Sequence, residues 1–159
     1  MMTVSLLAVG KLGEAFWVQA AAEYEKRLRA FCKLQTIEID EYRLPAKPAP
    51  ADIQKALERE GADILAKLPP RAKVVTLCIE GKPLSSPQLS DFLTDAAGVT
   101  SQLAFVIGGS HGLWEEVKQK SDLRLSFSPM TFPHQLARIM ALEQIYRSFS
   151  IGAGLPYHK

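Results

Sequence analysis

Two segments of the chain are apolar at nearly every position: Lys73–Ile79 (KVVTLCI) and Gln102–Ile107 (QLAFVI). A β-strand turns successive side chains to opposite faces, so a strand apolar throughout needs cover on both sides. That demand selects an α/β domain: a mostly parallel sheet flanked by helices. The rest of the chain supplies the partners. Thr3–Val9, Leu34–Ile39 and the weaker Leu123–Phe127 read as further strands. Glu14–Arg29 carries Trp17, Ala21, Tyr24 and Leu28 at helical spacing. A second helix, capped by Asp52 and stopped by Pro69-Pro70, presents Ile53, Ala56, Leu57, Ile64 and Leu65. Ser86 as N-cap with Pro87 in the first helical position opens a helix over Gln88–Ala97. Leu113–Lys120 and Pro133–Phe149 complete the set, and Gly81 reads as the turn that ends KVVTLCI.

Three prolines between Leu44 and Asp52 forbid regular structure there. Each flank of that loop has too few strands to fold alone, so residues 1–159 form a single domain. Nineteen Lys and Arg against seventeen Asp and Glu give a net charge of +2. This excludes a polycation and an acidic tail. It permits one basic face, for which Lys26, Arg27, Arg29 and Lys33 are candidates. No apolar run approaches the ~20 residues that cross a bilayer, so no membrane partner is expected. Cys32 and Cys78 make no CxxC pair, and the three histidines stand apart, so no metal is expected. A disulfide-poor chain whose first residues lack the pattern of a secretion signal fits a cytoplasmic location.

The chemistry-bearing segments lie in the last third. Phe105–Gly112 (FVIGGSHG) runs a buried strand into a glycine turn. Glycines there let a ligand approach the backbone, or they simply make a tight connection. Phe127–His134 (FSPMTFPH) brackets a short hydroxyl and apolar loop with two prolines. Such a loop can present backbone groups to a flat heterocycle, or it is a stiff connector. The third segment is His134–Lys159, with Leu136, Ile139, Met140, Tyr146 and Phe149 forming an apolar face. It ends in Leu155-Pro156-Tyr157-His158-Lys159, either a frayed terminus or an aromatic, imidazole and cation set suited to docking on a nucleotide.

The order IGGxxG, TxPH, LxRxxxxEQxYR and terminal PYHK resembles the SPOUT-class large-subunit ribosomal RNA methyltransferases that act on pseudouridine N3. LLAVGKL near the start and VVTLCIEGKPLSSPQL in the middle extend the resemblance over the whole length. It implies a C-terminal trefoil knot, a feature that ordinary connection rules disfavour. It implies an S-adenosyl-L-methionine pocket at Leu77, Gly108, Phe127, Ser128, Pro129, Met130, Thr131 and Phe132. Gly108→Val is then expected to block the cofactor and spare the fold. It implies a homodimer with each active site near the subunit interface, acting on ribosomal RNA or the assembled ribosome. Arg138, Glu143, Tyr157 and His158 fall at the active end. Arg138 is the candidate to stabilise charge on the base carbonyls, and His158 to accept the imide proton. Tyr157 is the candidate to stack on the base, and Glu143 to orient Arg138 or bridge subunits. RNA 2′-O-methylation on the same pocket, and a ribosome-assembly factor without catalysis, are the competing readings.

Overall fold

The computed structural model describes residues 1–159. Five strands form one parallel sheet: β1 (Met2–Val9), β2 (Cys32–Ile39), β3 (Lys73–Pro83), β4 (Gln102–Ile107) and β5 (Leu123–Ser126), in the order β2-β1-β4-β3-β5. Helices α1 (Ala15–Leu28), α2 (Pro50–Lys67), α3 (Ser86–Ala97), α4 (Glu115–Gln119) and α5 (His134–Gly152) cover both faces.

Strand periodicity sorts the core into two halves. Val4, Leu6 and Ala8 of β1, with Leu103, Phe105 and Ile107 of β4, pack under α1, α3 and α5. The alternate residues Leu7, Val9, Ala104 and Val106 pack under α2 and α4 through Ile64 and Val117. The fully apolar strands are therefore covered on both sides, as their sequence requires.

Four local expectations change. Gly81 does not end β3. Leu77 and Lys82 both stand opposite Leu125, so residues 78–81 bulge out and the strand resumes to Pro83. A Cβ at Gly81 would come within 2.8 Å of the Arg124 backbone, so β5 itself demands the glycine. The N-cap of α3 is Ser85, not Ser86: Ser85 Oγ accepts from the Gln88 N–H, and Gln88 Oε1 accepts from the Ser85 N–H. Asp52 caps α2 from inside its first turn, accepting from the Ala49 N–H at 2.9 Å.

The fourth correction concerns α5, which runs on to Gly152. It lies between α1 and α3, and its buried side chains are Arg138, Ile139, Ala141, Leu142, Ile145, Ser148 and Ser150. Tyr146 and Phe149 are half-buried against Phe31, with Phe31 and Phe149 stacked at 5.8 Å. The protomer's own core thus uses most of the apolar residues of α5, and the helix by itself does not require a second subunit. No helix is long and apolar enough to cross a membrane.

Candidate active site

The carboxyl ends of parallel strands are where α/β sheets place ligands. Here the β3 bulge, the glycine turn after β4 and the loop after β5 enclose a cavity of about 760 Å³. The size suits a nucleoside-sized ligand. Its apolar wall includes Leu77, Ile107, Leu125, Phe127 and Phe132. Ser128, Met130 and Thr131 line it from the loop, and the N–H of Met130 donates to Ser128 Oγ at 3.0 Å, closing the loop on itself. Of the eight expected cofactor residues, Leu77, Gly108, Phe127, Ser128, Met130, Thr131 and Phe132 meet at this cavity, while Pro129 is not among its lining residues. Ile79 and Met130 are exposed apolar side chains among the lining residues. Apolar walls for a ring, plus backbone polar groups from two loops, are the features that an adenosyl group needs.

Gly108 has a stricter reason to be glycine than ligand access. A Cβ there would overlap the Gly112 carbonyl of its own turn, which Gly109 and Gly112 close as an isolated bridge. Gly112 adopts φ +82° in open space. The expectation that Gly108→Val spares the fold is therefore corrected: the substitution breaks the turn before it meets a ligand.

Several lining residues were not anticipated. Glu80 and Lys118 form an ion pair at 2.5 Å on the cavity wall. The hydrogen bond from Lys118 holds the Glu80 carboxyl below the ordinary carboxylate range. Cys78 also lines the cavity, with its thiol pushed up by burial and so kept protonated. His134 and Ala137 close the cavity from the start of α5. Only the TFPH motif hinted at His134, and no local signal marks Glu80 or Lys118, which meet through the β3 bulge.

Of the four expected catalytic residues, Glu143, Tyr157 and His158 are joined through Arg147, and Arg138 stands apart. Arg138 is 6% exposed, and its Nη1 donates to Glu38 Oε2 at 2.9 Å across 100 residues of chain. Its Nε is buried without a partner. Arg138 thus fastens α5 to the end of β2 and is withdrawn from any base. Glu143 does not orient Arg138. It accepts from Arg147 Nε at 2.7 Å and from the Tyr157 hydroxyl at 2.6 Å. Arg147 lies over the Tyr157 ring at 4.6 Å, and its Nη1 donates to His158 Nδ1 at 3.2 Å. Guanidinium can only donate, so Nδ1 is the acceptor and the ring proton sits on Nε2. The carboxylate of Glu143 pushes the Tyr157 phenol up to about 12, so Tyr157 keeps its proton.

The tail is therefore an ordered cluster built around Arg147, the last residue of the LxRxxxxEQxYR motif. It continues onto α1: Tyr157 packs edge-on against Tyr146 at 4.8 Å, and Arg27 lies over both Tyr24 and Tyr146. Lys26, Arg29 and Lys33 are exposed, while Arg27 is paired with Glu23. None of Arg147, Tyr157 and His158 lines the cofactor-sized cavity of the same chain. No group of three or more His, Cys, Asp or Glu is arranged to hold a metal ion.

A family model described as "Predicted SPOUT methyltransferase" matches residues 2–158. Solved structures share the fold. A Legionella pneumophila protein described as a methyltransferase, in complex with the bound cofactor SAM, has a TM-score of 0.52 at 13% identity. The match covers 95% of this chain and 66% of that one, just under two thirds of its length. A methylase-family protein from Haemophilus influenzae has a TM-score of 0.51 at 10% identity, over 99% of this chain and 70% of that one. A structure described in terms of 2-OH methylation of C/U34 on tRNA has a TM-score of 0.50 at 17% identity, over 96% and 98% of the two chains.

Proposed function

The chain belongs to the SPOUT methyltransferase family, and from that premise we propose that it methylates RNA with S-adenosyl-L-methionine as donor. The acceptor in this reading is N3 of a pseudouridine in large-subunit ribosomal RNA, and the enzyme works in the cytoplasm on the ribosome. The observation that carries the proposal is the cavity that gathers Leu77, Gly108 and the 127–132 loop at the carboxyl end of the sheet. When bound, the cofactor supplies a sulfonium methyl as electrophile. The protein's part is to hold the acceptor nitrogen in line with it and to accept the imide proton.

The tail cluster supplies groups for that work. Tyr157 offers a ring face held rigid by Glu143. A proton leaving N3 passes to His158 Nδ1, which breaks the bond to Arg147. The freed guanidinium N–H groups then face the charge developing on the flanking carbonyls. Arg147 takes the role first considered for Arg138, and Arg138 becomes a positioning residue for α5. Because tail and cavity are separate within one chain, a homodimer completes each site by bringing one subunit's tail to the other's cavity. The segment after β5 forms the trefoil knot in this reading. The exposed cations Lys26, Arg29 and Lys33 suit the RNA backbone.

The test is methyl transfer to ribosomal particles from cells that lack this protein, with the modified atom mapped by mass spectrometry. One methyl on pseudouridine N3 is expected. A methyl on a ribose 2′-oxygen would establish the second reading, which the fold shared with the tRNA-related structure favours. Cofactor binding without transfer to any particle would leave an assembly factor.

A further inference from the structure

The proposed chemistry leaves one charged pair on the cavity wall unused. Among the residues that line the cavity, Glu80 is the one carboxylate. It comes from the β3 bulge, where residues 78–81 leave the ladder. Lys118 donates to its Oε1 at 2.5 Å and keeps it ionised. Oε2 makes no hydrogen bond or ion pair with another residue. The lysine side chain is 18% exposed and the glutamate 56%, so the pair is anchored at the cation and open at the carboxylate. Ile79 beside it and Met130 of the loop after β5 are exposed lining residues too, so this part of the cavity is open to an incoming group.

An ionised carboxylate accepts hydrogen bonds and cannot donate one. The hydroxyls and imidazoles on the same wall, those of Ser110, Ser128, Thr131, His111 and His134, can turn either way. The carboxylate alone selects strictly for a donor, and pseudouridine offers one that uridine lacks. In both bases N3 lies between two carbonyls, so the reacting edge is the same. The bases differ beyond one of those carbonyls, where pseudouridine carries N1–H and uridine C5–H. N1 and N3 flank the same carbonyl, so a group that reads N1 must stand on the wall of the cavity that holds the methyl donor. Lys118 has a second effect there. A bare carboxylate would oppose the negative charge that develops on the imide as N3 loses its proton. Paired with an ammonium, it reads N1 with much of that repulsion cancelled.

We propose that Glu80, held by Lys118, is the residue that distinguishes pseudouridine from uridine, by accepting the N1–H on Oε2. This rests on the pseudouridine reading above. Glu80 is then a specificity-determining residue, and Lys118 is its positioning residue.

Two preparations of ribosomal particles test this, both from cells that lack this protein. One carries pseudouridine at the target; the other comes from cells that also cannot form that pseudouridine, and carries uridine. Wild-type protein should methylate the first about tenfold faster or more. Glu80→Met keeps the length of the side chain and removes the acceptor. It should erase the preference, while calorimetry shows unchanged affinity for S-adenosyl-L-methionine. Because that variant leaves Lys118 unpaired, Glu80→Met/Lys118→Met is measured beside it and should lose the preference as well. Lys118→Met keeps the acceptor; it should retain the preference and lower kcat on both particles. A preference that persists in the folded double variant overturns the inference. Equal slowing on both particles with weakened cofactor affinity overturns it too, since Glu80 would then be a cofactor contact. So does wild-type protein that methylates N3 of both bases at the same rate. Wild-type transfer to neither particle, or to a ribose 2′-oxygen, overturns the pseudouridine reading itself, and the inference falls with it.

Discussion

The Tyr157 hydroxyl donates to Glu143 Oε2 at 2.6 Å, tying the third residue from the end of the chain back to the middle of α5. Glu143 uses its other oxygen to fix Arg147, so one carboxylate sets both the aromatic and the cationic part of the tail. A terminus without such ties frays. This one is held by a charge-assisted hydrogen bond, an ion pair and a cation–ring contact.

Tyr157→Phe removes the hydroxyl and keeps the ring. Loss of a charge-assisted bond at a half-buried site should lower methyl transfer by about tenfold, with cofactor affinity unchanged. The phenol provides a second readout. Its folded pKa of about 12 lies above the ordinary 10.0, so the neutral form is favoured in the folded protein. The stabilisation is fully present below pH 10 and is lost as pH rises from 10 through 12. Spectrophotometric titration should show one late-ionising tyrosine, and Glu143→Gln should abolish it.

His158 engages Arg147 through Nδ1, the nitrogen that would take a proton. His158→Ala should lower the rate at saturating substrate and leave binding to ribosomal particles nearly unchanged. Higher pH should partly rescue it, as more of the imide ionises without help. Weakened binding at an unaltered rate would make His158 a docking contact. Deleting Tyr157–Lys159 should abolish transfer and spare cofactor binding, because none of these residues lines the cavity.

Arg138 and Glu38 make a different kind of contact. The arginine side chain is 7% exposed and the glutamate 37%, so the pair is only half shielded. Arg138→Ala leaves a void and a carboxylate without its partner, and should cost about 2–3 kcal/mol in denaturant unfolding. Glu38→Gln, which keeps an acceptor for the guanidinium, should cost less. Equal and negligible effects would show that the pair does not hold α5 to β2.

The sheet was legible because its signals are local. KVVTLCI and QLAFVI need only their own side chains to declare two-sided burial, and β4 falls where it was read. Gly81 was misread for the opposite reason: its need to be glycine comes from the Arg124 backbone, more than forty residues away and brought near by strand pairing. Arg138 looked available for catalysis because helical spacing says nothing about Glu38 on β2. The resemblance gathered the cavity residues, since its motifs mark the loops at the strand ends.

Gly108 and Gly112 should separate two uses of glycine. Gly108→Ala drives a Cβ into the Gly112 carbonyl and should destabilise the fold and abolish cofactor binding together. Gly112→Ala meets open space and suffers only its left-handed backbone, a cost of about 1–2 kcal/mol. It should fold and bind cofactor. A Gly108→Ala protein as stable as wild type would show that the turn can relax around a side chain.

The separation of cavity and tail within one chain makes the shared site testable by complementation. Leu77→Trp fills the cavity from its wall and should prevent cofactor binding; a chain lacking Tyr157–Lys159 keeps the cavity and loses the tail. Each homodimer should be inactive. In mixed dimers one site pairs an intact cavity with an intact tail from the other subunit, and the second site has neither. Random pairing makes half the dimers mixed, each with one working site of two, so about a quarter of wild-type activity should return. If tail and cavity of the same chain worked together, every site in the mixture would lack one part, and no activity would return. Sedimentation of the separate variants must show dimers first, since a monomer at micromolar concentration would remove the shared site altogether.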